Sequence, residues 1–482
     1  MSAEVRHLSF TVRCLAFAVA LLIPLRLLGQ GYLPPDDALR HAGKAVSGKA
    51  WTDILVLRPD FQMDSHPGWH ALLGLVHQVS GASAHTLVLL SVIGLFVAFC
   101  LPSLILLRRP EAFFLALAAM TLTEPPVLRR LFLGRPFEMT MAVLTLLCLC
   151  WPALDTADRP RWPVWVTATV ALGLTAWIHP SWYLLTFPAL CFFLARRPRA
   201  GARLLVCLAG GVVLAALLTG HPWNFLVQSL AHPYLVFSGV TMSATLATEF
   251  QPYPGAPIFV VLFLGFAWWR GKTWEILSRD PVFVLTVAGW LLGFVSARFW
   301  LDWGAPAAIV WMSLEIQDAL EKSGAEDAHP RLAQAAAACL TAFLIATADI
   351  GGRFTQVTDR SYLALLTPEA AHTLPDPGGI LYTDDLALFY SVFFRRPDAP
   401  FRYVLGYEPG LMRPEDLAVY RAALKARTPD VYVPWIARMT PADRLILRSN
   451  TRPPVEGLEW MQVGPTLWSG RTLAAAASPR RP

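Results

Sequence analysis

Apolar blocks about 15 to 24 residues long recur along this chain, and their number constrains the fold more than any single motif. A helix needs roughly 20 residues to cross the hydrocarbon core of a bilayer. One such block could be the buried helix of a soluble domain; about eleven could not. They run 8–28, 84–107, 112–126, 136–154, 163–178, 181–195, 204–220, 255–269, 281–297, 303–317 and 332–350. Composition agrees, with 55% hydrophobic and 15% charged residues, against roughly a quarter charged in an average soluble domain. The pattern predicts a mainly α, polytopic bundle of transmembrane helices.

Basic residues between the blocks set the expected orientation. With the N-terminus inside, the outer loops hold Arg40, Lys44, Lys49, Arg58, Arg129, Arg130, Arg135 and Arg298. The inner segments hold about twice as many, among them Arg108, Arg109, Arg159, Arg161, Arg196, Arg197, Arg270 and Lys272. The positive-inside rule therefore predicts a cytoplasmic N-terminus, and an odd number of spans puts the tail outside. The first block carries Arg6 and Arg13 at its start and lacks a small-residue cleavage motif before Pro34-Pro35, so it reads as a retained signal anchor in the inner (plasma) membrane. Loop arginines account for the net charge of +6, and nucleic acid is not implied. All seven cysteines fall inside apolar blocks, leaving an outer disulfide framework nothing to use.

The pattern changes after Gly351-Gly352. Short β-like runs at 380–382, 401–405, 431–433 and 458–463 alternate with helix-like runs at 385–394, 414–426 and 440–449. The expectation is a transmembrane domain over 1–350, with an outer loop at 31–83, followed by a small extracytoplasmic α/β domain over 351–475. Residues 478–482 are expected to fray.

The outer loop holds the most informative segment. Pro34-Pro35-Asp36-Asp37 opens it, and Asp64-Ser65-His66-Pro67-Gly68 follows before the second block. Asp36 can be a helix N-cap after the proline pair, with Asp37 favourable in the first turn. The same carboxylates, set at the membrane surface, also suit a base that takes a proton from an acceptor hydroxyl. Arg129, Arg130 and Arg135, with Arg298 in a later outer loop, fall on the outer side against the positive-inside tendency. Each can snorkel to the headgroups or bind an anionic lipid phosphate through its planar fork. His179 and His221, each followed by Pro and then by Trp within three residues, read as interfacial anchors.

These residues resemble the membrane-embedded GT-C glycosyltransferases, in particular the branch containing protein O-mannosyltransferases and lipid A aminoarabinose transferases. The match covers the acidic pair Asp36-Asp37, the small residues Ala38, Ala42, Ala45 and Gly48 of the next helix, and the motif at Asp64–Gly68. Two departures are Asp37, where Glu is common, and Gly68, where the family has a second Pro. The resemblance implies an integral membrane glycosyltransferase with an outward-facing (periplasmic) site. It would move a sugar, with inversion, from a polyprenyl-phosphate donor to an extracytoplasmic lipid, glycan or protein of the cell envelope. Asp36 would be the base and Asp37 its support. Asp64, His66, Arg129, Arg130, Arg135 and Arg298 would bind substrate or the departing lipid phosphate. Asp36, Asp37 and His66 could ligate a divalent metal, though the sequence does not require a cofactor. The competing class is a transporter or flippase of a lipid-linked substrate. That class would show matched repeat halves and ionisable residues midway along its spans. No nucleotide-binding glycine motif is present.

Overall fold

The computed structural model describes residues 3–59, 64–156, 162–237, 250–322, 328–355, 365, 367–406, 409–426 and 428–472. Arg159, Arg161 and the end at 478–482 lie outside them.

Every apolar block is helical. The chain begins with α1 (Ala3–Gly29), then α2 (Asp37–Ser47), α3 (Trp51–Ile54) and α4 (Pro67–Ser80) in the first loop. The bundle continues through α5 (Ala84–Leu106), α6 (Glu111–Thr123), α7 (Pro125–Arg130), α8 (Phe137–Asp155), α9 (Trp162–Ile178), α10 (Thr186–Leu194) and α11 (Pro198–Leu218). It closes with α12 (Pro222–Phe237), α13 (Pro257–Trp269), α14 (Trp274–Leu277), α15 (Pro281–Gly293), α16 (Ala305–Lys322) and α17 (Ala328–Thr347).

Five of these helices are long and apolar enough to cross a membrane: Leu8–Gly29, Ala84–Leu106, Phe137–Asp155, Pro198–Leu218 and His329–Thr347. Most of the other blocks form shorter helices for a local reason. Proline restricts the residue before it and suits the first helical turn, so α6 stops ahead of Pro125-Pro126, α9 ahead of Pro180, and α13 and α15 start on Pro257 and Pro281. Between α15 and α16, Phe299–Gly304 forms a π-helical turn. Leu90, Val166, Leu217, Val261, Leu291 and Leu344 are about half exposed on outer helix faces, a surface that suits lipid rather than water.

The two ends of the bundle differ chemically. At one end Arg13 bonds the last carbonyls of α5, Arg108 pairs with Glu321, and Arg270 and Lys272 share Glu315. The other end carries the first loop.

The C-terminal region holds a five-stranded sheet of order β2-β1-β3-β5-β4, with β1 (Ile380–Tyr382), β2 (Arg402–Tyr403), β3 (Arg444–Arg448), β4 (Leu458–Gly464) and β5 (Leu467–Thr472). β1 runs parallel to β2 and β3, and the other pairs are antiparallel. Helices α18 (Leu386–Arg395), α19 (Pro414–Ala426) and α20 (Val433–Ile436) complete it. Two expectations from the sequence are corrected. Residues 431–433 are helical, because Pro429 and Pro434 have no N–H to give a ladder. The supposed helix at 440–449 is β3, whose consecutive Leu445, Ile446 and Leu447 are buried against helices on both faces.

The first loop is built onto this region. Leu55 bridges to Tyr403, the Val56 N–H donates to the Tyr403 carbonyl at 2.9 Å, and Lys49 Nζ donates to the Ala399 carbonyl at 2.7 Å. The Phe393 ring of α18 packs over Gly43 of α2.

Candidate active site

Helix α2 starts where the prolines stop extended chain and ends on Gly48 in the left-handed conformation. Asp36 occupies its N-cap position, yet its side chain makes no cap bond. The carboxylate turns instead to Arg135, whose Nε donates to Oδ1 at 3.0 Å and whose Nη2 donates to Oδ2. The same guanidinium reaches Asp37 Oδ2 at 3.7 Å, and Arg40 Nε donates to Asp37 Oδ1 at 3.2 Å. Asp36, Asp37 and Arg135 keep 21%, 26% and 15% of their side-chain surface open. Gly134 places Arg135: its φ of +64 turns the chain out of α7, and a Cβ there would meet Val92 of α5 and Ala38 of α2.

Behind the acidic pair is a hydrogen-bonded chain of buried groups. His70 Nδ1 lies 2.6 Å from Asp64 Oδ2, His70 Nε2 lies 2.8 Å from His41 Nδ1, and His41 Nε2 lies 3.3 Å from Arg40 Nη2. A guanidinium can only donate and a carboxylate can only accept. Both rings are therefore neutral Nδ1–H tautomers, each donating toward Asp64. His66 packs edge-on against His41 at 4.8 Å between centroids and stacks on His179 at 5.9 Å.

Burial holds His41, His66 and His70 below the ordinary imidazole pKa, with Arg40 adding to the effect in each case. For Asp64, burial alone would raise the pKa, but the His70 ring and the His66 N–H outweigh it and hold the carboxyl below its usual range. These shifts fix the sign of a pH dependence. The unfolded chain takes up protons at these histidines as pH falls through roughly 6.5 and the folded one does not, so this stability is full above that pH and lost below it. Each histidine contributes a slope of at most about 1.4 kcal/mol per pH unit. The melting temperature of the purified protein should therefore fall steadily from pH 7 to 5.5, and less steeply in His70→Gln; a flat profile would contradict neutral burial.

Asp64 and His66 are thus brought beside the acidic pair, but Asp64 is spent on His70. The arginines fall into two groups. Arg135 belongs to Asp36. Arg130 is buried and gives Nε and Nη2 to the two oxygens of Asp302 at 2.7 and 2.9 Å, while Arg298 Nε donates to the same carboxylate at 3.2 Å. Arg129 is exposed. His179, read as an anchor, lines the histidine cluster, and its Nδ1 lies 3.2 Å from Thr140 Oγ1. The sequence reading missed Arg40, His41, His70 and Asp302. Three histidines near Asp64 in one loop were the available signal for the first group, and an acid bordering an apolar block for the last. Among the described residues, no three His, Cys, Asp or Glu side chains converge as a metal shell.

Gly68 gains a physical account. A Cβ there would run into the Trp177 ring and carbonyl of α9. The absent second proline of the motif is thus matched to this tryptophan. Gly68→Pro should lower the melting temperature by several degrees, and adding Trp177→Ala should recover part of the loss.

No protein-family model and no curated protein matches the sequence. Solved structures do match. The Archaeoglobus fulgidus oligosaccharyltransferase in its apo form is similar at 10% identity with a TM-score of 0.54, over 92% of this chain and 70% of that one. The same protein tethered to an acceptor peptide containing the NVT sequon gives 11% identity and a TM-score of 0.51, over 91% and 69%. ArnT from Cupriavidus metallidurans, also apo, gives 14% identity and a TM-score of 0.52, over 97% of this chain and 99% of that one. The chain has the GT-C fold. The likeness to ArnT covers nearly the whole of both chains.

Proposed function

We propose that this chain is a membrane glycosyltransferase that moves a sugar from a polyprenyl-phosphate donor to an extracytoplasmic acceptor. One observation carries the reading: Asp36 leaves its own helix uncapped and presents its carboxylate, beside Asp37 and Arg135, in the loop that follows the first apolar helix. A structural cap would bond the N–H groups of α2; this one does not.

The geometry supports a single inverting displacement. The Arg135 fork bonds both Asp36 oxygens, and the carboxylate keeps 21% of its side-chain surface open to an acceptor hydroxyl. As that hydroxyl attacks the anomeric carbon, its proton passes to Asp36 and the glycosidic bond to the lipid phosphate breaks. The phosphate leaves toward positive charge: Arg135 nearest the pair, exposed Arg129, and Arg298 on the open side of Asp302. Asp37, fixed by Arg40, holds the loop.

The topology that goes with this reading is about eleven crossings, the shorter helices included, in the inner membrane. The N-terminus is inside, and the loop and sheet are outside. In a deletion strain, envelope glycan and lipid analysis should find one sugar missing from its acceptor and the lipid-linked donor accumulating on the outer leaflet. Accumulation on the inner leaflet would point to a flippase instead.

A further inference from the structure

We infer that Glu138 is a positioning residue for the site: from the first turn of α8 it fixes the backbone of Arg135, and through Arg135 it aims the carboxylate of Asp36. Giving it a role in sugar transfer rests on the transferase reading; the mechanical link to Asp36 does not.

Glu138 is the second residue of α8 and has no exposed surface. An acid in the first turn complements the helix dipole without needing to be buried. The contacts of this one are directed at the turn that precedes the helix. Its Oε1 accepts from the Arg135 N–H at 2.9 Å, and its own N–H donates to the Arg135 carbonyl at 3.0 Å. Both backbone groups of Arg135 are thus tied to one residue, in the reciprocal manner of a capping box. Glu138 Oε2 is buried and makes no hydrogen bond among the described residues. A buried oxygen without a partner opposes folding; what the side chain secures in return is the place of Arg135.

The rest of the turn is braced in the same sense. The buried Tyr32 hydroxyl donates to the Phe132 carbonyl at 2.9 Å. Tyr32 lies four residues before Asp36, so the segments that carry the acid and its arginine are joined before their side chains meet. Between the two ties, Gly134 presses so closely on Val92 and Ala38 that a Cβ would touch both. An arginine side chain is long and has many rotamers, and ordering it is costly. With its backbone held at the N–H and the carbonyl, only the side-chain torsions of Arg135 are left for Asp36 to order. The fork that results has Nε 3.0 Å from Asp36 Oδ1. Loosening the turn would let this fork drift, and a shift of about 1 Å in a reacting group can cost 10²-fold in rate.

Glu138→Met keeps the side-chain volume and removes the acceptor; Glu138→Gln keeps the acceptor. Purified variants are added to solubilised membranes of the deletion strain, which hold both donor and acceptor. Glu138→Met is expected to lower kcat at least tenfold with KM kept within threefold, and Glu138→Gln to recover most of the loss. In an Arg135→Ala background Glu138→Met should cost less than twofold more, because the side chain it aims is gone. Melting temperatures in detergent run the same cycle without turnover: the separate losses in Glu138→Met and Arg135→Ala should sum to more than the loss in the double variant. Gly134→Ala disturbs the turn without touching the buried carboxyl, and it replaces Glu138→Met in every arm if that variant does not fold. The role is overturned if the variant turns over at the wild-type rate, if Glu138→Gln is as slow as Glu138→Met, or if the melting losses are additive. A wild type that transfers nothing would sink the transferase reading, and the melting cycle would still decide the link.

Discussion

Asp36→Asn is expected to lower turnover by about 10²- to 10⁴-fold, the usual contribution of a positioned general base. Asparagine keeps the size of the side chain and one oxygen for Arg135, so the loop should stay folded. What disappears is the lone pair that takes the acceptor's proton. Radiolabelled sugar transfer from a polyprenyl-phosphate donor in reconstituted liposomes would measure this. Asp36→Glu should retain more activity than Asp36→Asn, because a carboxylate remains but sits a methylene further from Arg135. Asp37→Asn should cost less than Asp36→Asn. Equal turnover in Asp36→Asn and wild type, at equal protein level, would falsify the assignment of the base.

Asp302→Ala should be the most destabilising single change in the bundle, by about 3–5 kcal/mol. Asp302 is buried in the π-helical turn before α16 and takes both nitrogens of buried Arg130, which also lies 3.7 Å over the Phe137 ring, together with Arg298. Removing the carboxylate takes away the charge that both guanidinium groups share, one of them shielded from water. The double change Arg130→Met with Asp302→Leu removes both charges from the core and should recover most of the loss. Unfolding by graded denaturing detergent would report both values. If Asp302→Ala unfolds like the wild type, the pair contributes no stability and Arg130 is held by packing alone.

The helical content was legible because apolar run length is a direct signal, and every one of the blocks became a helix. Crossing length was less legible: whether Thr123 or Ile178 ends a helix, or Pro257 or Pro281 starts one, depends on a proline, and this shortens four of the blocks. In the tail, β3 was misread as helix because three consecutive apolar residues carry no period; only the sheet that forms around Leu445–Leu447 decides. The acidic pair stood out because its two residues are adjacent. The partners that define its chemistry come from far along the chain, Arg135 to Asp36 and Asp302 to Arg130, and no local pattern announces such a pairing. Asp385 and Asp36 make the same point. Both follow residues that break an element and precede a helix, yet one caps and the other does not, a difference set by where an arginine arrives in space.

The bridge from Leu55 to Tyr403 has a consequence for biosynthesis. The first loop leaves the ribosome early, but the backbone groups that hold it, at residues 399, 403 and 411, are made only after every apolar helix has been inserted. Until then Asp36 and Asp37 sit on a loop without its sheet. A half-made chain would carry the acidic pair but not the frame that holds its loop, so on the proposed reading transfer would begin only once translation is complete.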